Sequence, residues 1–170
     1  MRPGYAIAAA LLFAGTVGSM AVGAARDDTA APAAARWLAM GETALTSKQP
    51  AAAIDAFEAA LAVDPKSATA FVGLARAYDA QALPGRAIRY YREALALEPN
   101  DLGALAGQGE ALIARGATTR ARVNLDRIKT LCKGECPAAR RLETALAAPP
   151  RVVPTPLASA ETVKPVVAKN

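Results

Sequence analysis

From Ala34 to Leu146 apolar residues recur at helical spacing, in short runs broken by turn residues. The clearest pair of runs lies in Ala68–Asp101. Phe71, Leu74, Ala75 and Tyr78 fall at offsets of 3, 4 and 7 residues, one stripe of a helix. Ala87, Ile88, Tyr91, Ala94 and Leu95 form a second stripe, after a break at Leu83-Pro84-Gly85. Pro84 suits a first helical turn, where its missing N–H costs nothing, and Pro99 ends the second helix. Small residues at Ala75, Ala87 and Ala94 let two antiparallel helices approach closely, with Phe71, Tyr78 and Tyr91 filling the space around them. The pattern predicts a helical hairpin.

That hairpin has a copy before it. Leu-Ala-Val-Asp-Pro ends at Pro65 and Leu-Ala-Leu-Glu-Pro at Pro99, a separation of 99 − 65 = 34 residues. The same step back from the other landmarks gives Trp37, Met40, Gly41, Ala44, Ala53, Phe57 and Ala60. A step forward gives a weaker copy: Leu105, Gly109, Leu112, Ala121 and Leu125 match, but Lys133 stands where the final proline would be. A period of 34 with a large apolar residue, Leu-Gly, an aromatic, Ala, Phe, Ala and Pro in that order resembles the tetratricopeptide (TPR) repeat. The units run over 34–67, 68–101 and 102–135, each predicted as helix A, turn, helix B. Trp37 takes the large apolar position at the start of helix A, where it packs in its own hairpin. Gly107 and Gly109 weaken the third helix A; with no Lys-Ser/Thr after them, they suit close helix packing better than a phosphate loop.

The resemblance implies an all-α protein, a right-handed α-solenoid of three TPR-like hairpins closed by a capping helix. Pro137–Ala147 supplies the cap, with Leu142, Ala145 and Leu146 on one side and Arg140, Arg141 and Glu143 on the other. By the same resemblance, the helices A line a concave groove for a peptide or partner protein. The groove positions fall on Leu38, Glu42 and Leu45; on Val72, Arg76 and Asp79; and on Ala106, Glu110 and Ile113. Members that clamp acidic chain ends use Lys and Asn at such places, and neither is found at these. The lining suits an extended or helical segment with apolar anchors. The expected function is a non-catalytic protein-interaction scaffold with no cofactor, no metal and no catalytic residue.

The chain's ends change the picture of where this happens. Arg2 precedes Tyr5–Val22, an apolar run without a charge, and Val22-Gly23-Ala24 places small residues as a signal peptidase requires. Residues 1–25 are therefore expected to be an export signal, with an uncleaved membrane anchor as the rival reading. No cysteine follows the run, so a lipoprotein anchor is excluded. The domain is expected in the periplasm or otherwise outside the cytoplasm, with membrane association, if any, through the N-terminus. Residues 26–33 are expected to link this segment to a domain over 34–148, and 149–170 to form a disordered Pro-rich tail.

Composition removes several chemistries. The chain has no histidine, which excludes Ser-His-Asp and Cys-His arrangements and every His-bearing zinc or haem site. Net charge is +5, with the basic excess between Arg115 and Arg141. No aromatic residues interleave there, and nucleic acid is not an expected partner. Cys132 and Cys136 bracket Lys133-Gly134-Glu135 where the last hairpin must turn into the cap. In an oxidising compartment such a pair most simply forms a disulfide, contributing about 2 kcal/mol by closing a small loop. A thiol redox or metal-handling role for the pair is the alternative, although redox motifs favour two intervening residues and a metal needs further ligands.

Overall fold

A computed structural model of the chain describes residues 30–148. The expected export signal (1–25) and Pro-rich tail (149–170) lie outside the described residues. Seven helices follow one another: α1 (Ala30–Thr46), α2 (Pro50–Val63), α3 (Ala68–Ala80), α4 (Pro84–Leu97), α5 (Leu102–Ala114), α6 (Thr118–Leu131) and α7 (Pro137–Ala147). The described residues contain no strand. Helix α1 starts at Ala30, inside the expected linker. Its first turn is rich in alanine, and Pro32 sits where a helical N–H would have no partner.

The ends of these helices are written locally, and they repeat. Pro50, Pro84 and Pro137 open α2, α4 and α7. The Ser67 hydroxyl accepts from the Ala70 N–H at the start of α3, and the Asp101 carboxylate accepts from Gly103 and Ala104 at the start of α5. Each A–B turn closes in the same way. The N–H groups of Lys48, Ala82 and Gly116 donate to Leu45, Asp79 and Ile113, and those of Gln49, Leu83 and Ala117 donate to Ala44, Tyr78 and Leu112. This double closure needs a left-handed residue just past the helix, and Lys48, Ala82 and Gly116 have φ of 55°, 57° and 75°. Only the third of these is a glycine.

Lys48→Gly and Ala82→Gly are therefore expected to stabilise the domain by about 0.5 kcal/mol each. Relief of the left-handed strain, about 1 kcal/mol, is partly offset by the freer unfolded chain. Urea unfolding of each variant measures the sign.

The helices stack in two layers. α1, α3, α5 and α7 contact one another in sequence along the inner layer; α2, α4 and α6 form the outer layer, each packed on its hairpin partner and on the next inner helix. Small residues set how close the layers come: Ala53, Ala60, Ala87, Ala94 and Ala121 are all buried. Into this frame Phe57 inserts, fully buried, between Gly41 and Gly73. A Cβ on Gly41 would lie 2.6 Å from the Phe57 ring, and one on Gly73 would overlap it. Tyr91 repeats the arrangement one unit later against Gly107. In the third unit the smaller Leu125 occupies that position, and Leu142 from α7 fills the space over Gly109 instead. Tyr78 is buried in the same core, with Phe71 half-buried in the first turn of α3 and Trp37 half-buried in the middle of α1, because that helix begins earlier than expected, at Ala30. Pro65 and Pro99 stay exposed beyond the ends of α2 and α4. They end helices rather than fill the core. Met40, one repeat before the buried Leu74, is 45% exposed, because no described helix packs over that face of α1.

Candidate partner-binding groove

The inner layer carries the residues singled out for the groove, and it brings most of them together. Leu38, Leu45 and Val72 are half-buried, their inner parts packed on the core around Phe57, and Ile113 is half-buried against the cluster under α7. Ala106 differs. It is fully buried among Leu105, Ile128 and Leu142, so the capping helix removes it from any groove surface.

Between the apolar positions runs a row of charges. The Arg76 guanidinium (Nη1) donates to Glu42 Oε1 at 2.5 Å, joining α3 to α1. One unit on, Arg141 Nε lies 2.7 Å from Glu110 Oε1, joining α7 to α5. Arg141 thus supplies from α7 to Glu110 what Arg76 supplies from α3 to Glu42.

 In both pairs a carboxylate on one inner helix is held by an arginine from the next. Charge on this face is therefore satisfied largely within the protein, by surface pairs that each contribute little to stability.

Asp79 is the exception, since it forms no ion pair among the described residues. Burial pushes its carboxyl up from the ordinary 3.8 to about 7; a hydrogen bond from the Tyr91 side chain opposes the rise, and the nearby Glu110 charge adds to it. Tyr91, buried beside Asp79 and Glu110, has its phenol raised well above the usual range, first by burial and then by those two carboxylates, against the pull of Arg141 and Arg76. The tyrosine is both the large core residue of its hairpin and a polar contact reaching the inner face. Its place in the core was legible from the 34-residue frame; its contact with Asp79 was not.

A consequence is a pH-dependent stability of definite sign. A carboxyl whose folded pKa is raised binds its proton more tightly in the folded state. Between the ordinary 3.8 and about 7, stability therefore falls as pH rises, and the full cost is present above about 7. Asp79→Asn is expected to flatten this slope and to be the more stable protein at alkaline pH. Urea unfolding across a pH series tests it.

At the far end of the row, Cys132 ends α6 and Cys136 precedes α7. Their sulfurs stand at bonding distance, 2.09 Å, with Cα atoms 6.0 Å apart. Lys129 and Glu143, 2.6 Å apart, tie the same two helices together. No group of three or more acidic or cysteine side chains placed to hold a metal occurs among the described residues.

The fold has known relatives. Residues 34–76 and 68–101 each match a family model described as tetratricopeptide repeat. Among solved structures, the Arabidopsis OM64 TPR domain superposes with a TM-score of 0.64 at 18% identity, over 69% of this chain and 96% of that one. The Sgt2 TPR domain from Aspergillus fumigatus gives 0.62 at 24% identity, over 67% and 77%. The first TPR of Spaghetti (RPAP3), solved bound to the HSP90 peptide SRMEEVD, gives 0.61 at 22%, over 69% and 95%. At these identities the likeness is one of fold. No curated protein sequence matches the chain. With its 34-residue period, its repeated hairpin closures and its two repeat matches, the chain carries tetratricopeptide repeats over residues 34–101.

Proposed function

We propose that this chain is a non-catalytic interaction scaffold of the bacterial cell envelope, holding a segment of a partner protein along its inner layer. The observation that carries the reading is the composition of that face. Leu38, Leu45, Val72 and Ile113 offer half-exposed apolar anchors, while Glu42–Arg76 and Glu110–Arg141 neutralise the charges between them. A peptide-bound relative of the same fold supports the mode of binding. It does not support the same ligand: the acidic peptide held there would meet Glu42, Asp79 and Glu110 here. A segment with apolar anchors and few acids fits better.

The envelope setting rests on the sequence, on the apolar Tyr5–Val22 run and the paired cysteines. Mass measurement of the protein recovered from cells tests it, since cleavage after Ala24 or Ala25 leaves a defined new N-terminus. For the binding reading, the test is crosslinked capture from the native envelope with the wild type and with Leu38→Gln/Val72→Gln, each first checked for helical content. A partner held by the wild type and lost by the variant is the expected result. Equal capture by both would refute the groove.

A further inference from the structure

The excess positive charge of the domain is concentrated in two of its outer helices. The inner helices are close to neutral together: Arg36 and Glu42 cancel in α1, Arg76 and Asp79 cancel in α3, Glu110 stands alone in α5, and Arg140 and Arg141 stand against Glu143 in α7. In the outer layer α2 has Asp55 and Glu58 and no cation. The next two outer helices reverse the sign. Arg86, Arg89 and Arg92 stand against Glu93 in α4, and Arg120, Arg122, Arg127 and Lys129 stand against Asp126 in α6. All six of these arginines are exposed, and none is in an ion pair with another described residue.

The two basic helices present this charge together. Arg86 and Arg120 are 120 − 86 = 34 residues apart, so they hold the same position on successive outer helices. The start of α4 also meets the turn before α6: a Cβ on Gly85 would lie 3.1 Å from the Arg115 guanidinium. Between Arg120 and Arg127 projects Val123, 63% exposed, the most exposed large apolar side chain described.

We infer that the outer face of α4 and α6 lies on an anionic phospholipid surface, with the arginines on lipid phosphates and Val123 among the headgroups. Guanidinium groups pair with phosphate in a forked geometry, and basic residues near an anionic bilayer add attraction individually. The charge is spread along two outer helices instead of converging on a pocket, which suits a sheet of headgroups better than a single shaped anion. Nucleic acid fits less well, because the aromatic rings on this side are already covered. Arg86 lies over Tyr78 at 5.3 Å, Arg89 over Tyr90 at 5.8 Å, and the two tyrosines stack on each other. No ring is left open for a base. The arrangement also leaves the inner layer facing away from the membrane, free to hold a partner.

The test is vesicle co-sedimentation of the full chain, comparing phosphatidylglycerol-containing with pure phosphatidylcholine vesicles. The apolar Tyr5–Val22 run would act on both kinds alike, so the difference between them isolates the charge. Binding to the anionic vesicles is expected to be stronger and to weaken steeply with added salt. Arg120→Gln/Arg122→Gln/Arg127→Gln is expected to lose roughly 100-fold of the anionic preference, at about fivefold per arginine. These residues are exposed, so circular dichroism should show an unchanged fold. Equal binding to both vesicle types, or an unchanged preference in the variant, would overturn the inference. So would salt-sensitive retention on single-stranded RNA with none on the anionic vesicles, which would reassign the face to nucleic acid.

Discussion

Phe57→Ala is expected to cost the domain about 4 kcal/mol, a large part of the stability of a protein this size. The ring is fully buried in a notch that spans two repeats, with Gly41 on one side and Gly73 on the other. Removing it leaves a cavity that rigid helices cannot close by sliding together. It also weakens the contact that couples the first hairpin to the second, so the loss should appear as reduced cooperativity as well as a lower midpoint. The companion variant Gly73→Ala tests the notch from the other side. An alanine would gain about 1 kcal/mol in helix propensity, yet its Cβ would overlap the ring. We expect overpacking to win, with a net loss of about 1–2 kcal/mol. Urea unfolding followed by circular dichroism reads both. A stabilised Gly73→Ala protein would show that the ring can move aside.

The second large effect is at the other end of the stack. Leu142→Ala is expected to cost about 3 kcal/mol and to loosen α7. Leu142 is fully buried over Gly109 and belongs to the cluster of Leu105, Leu125 and Ile128. Loss of its side chain opens the end of the last hairpin, and with it the Arg141–Glu110 pair on the inner face. Hydrogen exchange should show the effect confined to α5, α6 and α7. By contrast Leu146→Ala, at a half-buried position near the end of α7, should cost about 1 kcal/mol. Equal losses at the two leucines would mean that α7 packs by a different face.

Much of this architecture is legible in the chain because its signals are local and repeat. Pro50 and Pro84 start helices, Pro65 and Pro99 follow their ends, and alanines at fixed offsets report close packing. The 34-residue step then converts one hairpin into a stack. What the step does not display is anything that one element contributes to another out of register. Arg141 completes the charge on Glu110 only because α7 turns back across α5, and no periodicity places it there. Ala106 looked like a groove position by counting alone, and the same capping helix buries it. Gly73 and Gly107 are a different case. They are 107 − 73 = 34 residues apart, each under the aromatic of the preceding helix B, and that spacing was available in the sequence. The left-handed turn residues Lys48, Ala82 and Gly116 share the same spacing, hidden because two of the three are not glycine.

The central claim is that the inner layer is the surface that holds a partner. A photo-crosslinking residue placed at Val72, on the inner layer, and separately at Glu58, on the outer surface of α2, tests it most directly in the native envelope. The expected result is a discrete protein adduct from Val72 that Leu38→Gln abolishes, with no matching adduct from Glu58. An adduct from Glu58 alone, or the same adduct from both positions, would contradict it.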